Sequence, residues 1–180
     1  EDCSAVSVHY AWDTVALANV TGKGVIKNGG DSWFFVAADY AFGQSLEKDT
    51  TEVINAAGGK VVGSVRHPLG ATDFSSFMLQ AQASKAKVVA MANAGGDTVN
   101  SIKAAHEFGL TPKQMLAGLL VFVNDVHALG LKTAQNMVLT ESFYWDMNDE
   151  TRKFSKRFHD KMKKMPNMLQ VGAYSSTLHY

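Results

Sequence analysis

The side chains with which this chain could do acid–base or metal chemistry are six histidines (His9, His67, His106, His127, His159 and His179) and a scatter of carboxylates. Their spacing does not assemble them. There is no H-E-x-x-H run, and Asp125 and His127 could share a metal only across an irregular turn, so a surface or capping role suits them better. Glu141 and Asp146 flank SFYW and could pair as carboxylates; a hydrogen-bonded pair on a rim is the better reading. The glycines of GKGVIKNG follow a helical pattern and lack the third glycine of a dinucleotide fingerprint. Neither a G-x-x-x-x-G-K-[ST] phosphate loop nor a G-x-S-x-G nucleophile elbow is present. No catalytic residue, metal ligand or cofactor is therefore assigned, and the chain is expected not to be an enzyme.

Binding chemistry is better represented, in four turns: ADYAFGQS (38–45), RHPLGATD (66–73), NAGGDT (93–98) and LVFVND (120–125). Tyr40 and Phe42 supply flat apolar surface. Gly43, Gly95 and Gly96 permit close backbone approach where helices begin, and free N–H groups there favour an acceptor or an anion. Asn93 and Ala94 add little bulk, and Leu119, Leu120 and Phe122 add apolar wall. The candidate ligand-binding set is thus Tyr40, Phe42, Gly43, Asn93, Ala94, Gly95, Gly96, Leu120 and Phe122, a polar floor with aromatic sides suited to a small molecule. The same glycines could simply make tight turns and the aromatics could be ordinary core.

The elements that must position these turns follow from periodicity. Runs 32–38, 60–65, 87–93, 114–120 and 136–143 are short and apolar on successive positions, as strands buried on both faces are. Between them the period becomes helical. Leu46, Val53, Ile54 and Ala57 share one side of 43–57, which Gly58-Gly59 ends. Phe74, Phe77, Met78 and Ala81 form the stripe of 73–85, with Asp73 as cap. Val99, Ile102, Ala105 and Phe108 do the same over 96–108. A helix over 13–28 starts at Asp13, and another runs from Asn148 or Asp149 to about Met162. The order is a helix, four strand–helix units, a fifth strand and two helices. The fold class this predicts is α/β, a doubly wound parallel sheet with helices on both faces. Ligands of such sheets bind where the strands' C-terminal ends meet an edge.

Composition bounds the partners. The formal net charge is +0, so nothing in the overall balance points to nucleic acid. Residues 149–164 hold seven Lys/Arg against three Asp/Glu, but Phe154 and Phe158 mark a buried stripe, so the bases read as a solvated helix face. The longest apolar run, MLAGLLVFV, is too short to span a bilayer. One cysteine, Cys3, rules out a disulfide within the chain. The N-V-T at 19–21 is a glycosylation pattern inside a helix, and reads as accidental.

The order and spacing of the Phe42-Gly43 turn, GGKVVGS, TDFSSF, QAQASKAKVV and the AN at 92–93 resemble the second lobe of periplasmic solute-binding proteins of ABC importers, of the branched-chain amino acid (Leu/Ile/Val-binding) type. The resemblance implies a type I periplasmic-binding-protein lobe, with hinge strands joining two lobes that close on a ligand. It implies a hinge crossing over 1–12, a single α/β lobe over 13–166, and a helix over 167–180 returning toward a first lobe. The chain is then expected to be a piece of a longer periplasmic protein, its secretion signal elsewhere. Phe42 matches the family's Tyr before Gly that lines the cleft, and Asn93 to Gly96 match its turn after the third strand. Where amino-acid-binding members place an acid for the ligand's ammonium, this chain has Leu119, Leu120 and Val121, which favours an apolar or aromatic body without an amine; Asp125 could still serve if its turn bends inward. The implied function is the solute receptor of an ABC importer for a small amino acid or a small aromatic or branched carboxylate. The implied partners are that solute, the membrane permease and the first lobe. A ligand-sensing domain of a receptor or regulator with the same fold is the alternative.

Overall fold

The computed structural model describes residues 4–179; Cys3 and the first residues of the expected hinge crossing lie outside them. The chain divides into two compact units. One comprises Asp13–Val121 and Asp125–Thr140; the other takes the N-terminal segment up to Trp12, Phe122–Asn124, and the chain from Glu141 onward.

In the first unit α1 (Thr14–Lys27) precedes β1 (Ser32–Ala38), α2 (Ala41–Ala56), β2 (Lys60–His67), α3 (Ser75–Ala83), β3 (Val88–Ala92), α4 (Gly95–Glu107), β4 (Met115–Gly118), α5 (Val123–Leu129, mostly in this unit), α6 (Leu131–Ala134) and β5 (Met137–Leu139). All strand pairings are parallel, in the order β2-β1-β3-β4-β5. Asp13 caps α1 as expected, its Oδ1 accepting the Ala16 N–H at 2.7 Å.

Strand alternation sorts β1 into two faces. Phe34 and Val36 pack with Val89 and Met91 against Met78 and Ala81 of α3 and Ile102 and Ala105 of α4. Trp33 and Phe35 point the other way, stacked at 6.4 Å, on the side where α1 and α2 bury Leu17, Leu46 and Ile54. The Trp33 indole N–H donates to the Gly30 carbonyl at 2.8 Å, so the buried ring leaves no orphan donor.

Three expectations are corrected. The run at 60–65 is not buried on both faces: β2 is an edge strand, its residues alternating between exposed and half-buried, with Val62 45% exposed. β4 ends at Gly118, and β5 is only Met137–Leu139, because pairing stops where the chain turns away while residues 119–121 stay buried. Phe74 rather than Asp73 holds the cap position of α3; the Asp73 carboxylate accepts the Ser75 N–H at 2.8 Å, and the Ser75 side chain, then this backbone bond, lowers its pKa.

In the second unit α7 (Asp149–Met162) opens on a capping box between Asn148 and Thr151, and α8 (Met168–His179) has its first turn fastened by Asn167, whose Oδ1 accepts the Leu169 N–H at 3.0 Å. Phe154 is the aromatic centre, with ring centroids 6.1 Å from Phe143 and 4.8 Å from Tyr174. Glu141 and Asp146 do not pair with each other. The Glu141 carboxylate accepts the Val123 N–H at 2.8 Å and the Met168 N–H at 3.3 Å, whereas Asp146 meets Arg152 at 2.8 Å. No helix among the described residues is long and apolar enough to cross a membrane.

Candidate functional site

The strand order creates one point where the chain departs in opposite directions. β1 and β3 are neighbours, yet α2 leaves β1 on the Trp33/Phe35 face and α4 leaves β3 on the Phe34/Val36 face. In such sheets, helices that diverge from neighbouring strands frame a crevice at the C-terminal edge, the usual ligand position. The turns bordering it are 39–40 and 93–94, with 68–74 beside them.

At the β1 side, α2 starts directly on the strand. A Cβ on Gly43 would lie 2.2 Å from the Ala38 carbonyl oxygen, so only glycine lets the helix sit so low. Gly43 is therefore buried and spent on packing. Its neighbours carry the surface: the Tyr40 and Phe42 rings stand 6.0 Å apart, tilted by 35°, both half-buried.

At the β3 side the backbone is bare. Gly95 has φ +59°, a conformation that costs other residues energy, and neither it nor Gly96 has any atom within 4 Å of where a Cβ would be. Both are exposed, and something can approach them. Asn93 is different: it is 0% exposed and its amide is fully engaged. Its Oδ1 accepts from the Thr98 hydroxyl at 2.8 Å, and its Nδ2 donates to His67 Nε2 at 3.1 Å and to Ser101 Oγ at 3.3 Å. His67 Nδ1 faces the Pro68 carbonyl at 2.9 Å; a carbonyl only accepts, so Nδ1 bears the proton and Nε2 is the acceptor. His67 ends β2 and Asn93 follows β3, so their bond spans the end of β1 over the small Ala38, which pairs with His67. This network is the buried floor of the crevice.

Asp97, in the first turn of α4, closes the floor from above. It is 6% exposed, and its Oδ2 accepts the Gly70 N–H at 3.1 Å, tying the β2–α3 turn to α4. Burial, then the Asp97 charge, raises the Tyr40 pKa above its ordinary value.

Of the expected site residues, Tyr40, Phe42, Gly43, Asn93, Ala94, Gly95 and Gly96 thus gather at one edge of the first unit. Leu120 is 3% exposed and belongs to its core. Phe122 falls in the second unit, half-buried. The sequence pattern does not mark His67, Asp97, Thr98 or Ser101 as site residues. An acid in a helix's first turn is ordinary dipole compensation, so Asp97 gave no signal by type; only its bond to a residue 27 positions away reveals its role. No group of three or more potential metal ligands occurs among the described residues.

A family profile described as periplasmic binding protein matches residues 1–180. Among solved structures, a periplasmic binding protein from Burkholderia mallei is 60% identical, with a TM-score of 0.92 over 97% of this chain and 46% of that one. A branched-chain amino acid ABC transporter periplasmic ligand-binding protein from Burkholderia xenovorans is 36% identical, with a TM-score of 0.89 over 99% of this chain and 48% of that one. An ABC transporter solute-binding protein from R. palustris, in complex with 4-hydroxybenzoate, is 26% identical, with a TM-score of 0.63 over 67% of this chain and 34% of that one. No curated protein matches. The chain spans about half the length of the first two structures it matches. With the doubly wound sheet, its switch-point crevice and a profile match over the full sequence, the chain belongs to the periplasmic binding protein family.

Proposed function

We propose that this chain supplies one wall of the solute cleft of an ABC importer's periplasmic receptor, and does no chemistry on what it binds. The unit of residues 13–121 and 125–140 would be that lobe. The observation that carries the reading is the Tyr40–Phe42 ring pair beside the exposed Gly95–Gly96 backbone, at the one place where the sheet's connections diverge. Aromatic rings at this edge suit a solute with an apolar body, and exposed backbone N–H groups suit its polar atoms. Two relatives support the class: one is a branched-chain amino acid ABC transporter periplasmic ligand-binding protein, and the other is a solute-binding protein in complex with 4-hydroxybenzoate. A small amino acid or a small aromatic or branched carboxylate is the proposed solute, delivered to a membrane permease after hinge closure against the opposing lobe.

A thermal-shift screen of the full-length protein against branched amino acids, amides and aromatic acids tests this. At least one solute should raise Tm by several degrees, since a ligand at 100 times its Kd adds about 2.7 kcal/mol. Phe42→Ala should weaken that shift. A flat response across the whole panel would remove the receptor reading.

A further inference from the structure

The edge bordered by the β1–α2 and β3–α4 turns holds polar atoms that the fold itself does not use. Asp97 Oδ2 is occupied by the Gly70 N–H. Asp97 Oδ1 has no hydrogen-bond partner among the described residues, yet it is not among the buried side-chain atoms left without one, so it reaches solvent. The Tyr40 hydroxyl is in the same position. A carboxylate only accepts, and one that is 94% buried (6% exposed) has lost most of the water that would otherwise satisfy it. The edge therefore presents a charged acceptor with restricted hydration and an aromatic pair. A ligand carboxylate would be repelled there; a hydroxyl or ammonium hydrogen would replace the missing water.

We propose that Asp97, on the β3 side of an edge whose β1 side carries Tyr40, selects solutes carrying an N–H or O–H donor on their apolar body, the solute's own carboxylate facing away from Asp97. The inference rests on the receptor reading above and adds the polarity of the solute end that meets this lobe.

The donor could be a phenolic hydroxyl or an amino-acid ammonium, and matched pairs separate these sources. Titration calorimetry on the full-length protein would compare 4-hydroxybenzoate with benzoate, and leucine with 4-methylpentanoate. In at least one pair the donor-bearing member should bind about tenfold more tightly, as one charge-assisted hydrogen bond implies. Asp97→Asn is the decisive variant. Its amide oxygen can keep the Gly70 N–H bond, while its NH₂ replaces the free acceptor with a donor. Tm should then stay near the wild-type value while the preference within the pair falls to about twofold or reverses. Tyr40→Phe should reduce the preference less. Equal binding of both members of each pair, or a preference that survives Asp97→Asn, overturns the inference and leaves the receptor reading standing. Binding of none of the four by the folded protein also overturns the inference; the receptor reading then falls only if the wider screen is flat too.

Discussion

The two helix starts that border the crevice use the same residue type to opposite ends. At α2, Gly43 is pressed against the Ala38 carbonyl and buried; at α4, Gly95 and Gly96 are exposed, and a Cβ added to either would meet no other part of the fold. One glycine lets a helix pack on a strand, and the aromatic Tyr40 and Phe42 then carry the exposed surface. The other two leave the backbone itself as the surface, and the buried Asp97 carries the charge. A glycine in a strand-to-helix turn is thus not evidence of ligand approach until the space above it is known.

Substitutions that add a single methyl can break this comparison. The largest effect is expected for Gly43→Ala. In an open helix the change would be stabilising by about 1 kcal/mol, but here the Cβ meets a backbone oxygen that cannot move alone, so we expect a loss of about 3 kcal/mol in denaturant unfolding. A neutral result would mean that α2 does not sit directly on β1. Next comes the floor. Asn93→Ala strands the Thr98 hydroxyl and the His67 acceptor nitrogen, at a cost of about 2 kcal/mol, read as a lower denaturation midpoint. Gly95→Ala should cost about 1 kcal/mol through its positive φ alone, whereas Gly96→Ala should be neutral or slightly stabilising. Comparable losses at 95 and 96 would contradict the bare-backbone description.

The smallest effect is a titration. The Tyr40 pKa is raised by burial and by the Asp97 charge, so the folded state holds its proton more firmly than the unfolded one. Stability contributed this way is full below the unfolded value of about 10 and is lost as pH rises through the folded value. Ultraviolet difference titration against Tyr40→Phe should show one tyrosine ionising late, and Asp97→Asn should bring it earlier. No change on Asp97→Asn would separate the two side chains.

Much of the lobe could be read from the chain. SWFFVAA is apolar at every position after Ser32 because β1 is central and covered by helices on both faces, and the run matches the strand residue for residue. Asp13 and Asn148 announce their helices because capping is chemistry local to a few residues. The turn at 93–96 stood out because three small residues interrupt an apolar run. What could not be read depends on residues far apart. The Asp97–Gly70 bond and the His67–Asn93 bond each join different turns, and nothing in local composition marks them. The edge position of β2 is set by strand order, which periodicity does not report. Leu120 looked like cleft wall because an apolar residue after a strand can face either a ligand or the core, and burial alone decides.

The most direct measurement is a crystal structure of the full-length protein with the solute that raises its Tm most. The account expects that solute within about 4 Å of the Phe42 ring and of the Gly95–Gly96 backbone, with a donor atom turned toward Asp97. A solute seated away from the C-terminal edge of β1 and β3 would contradict it.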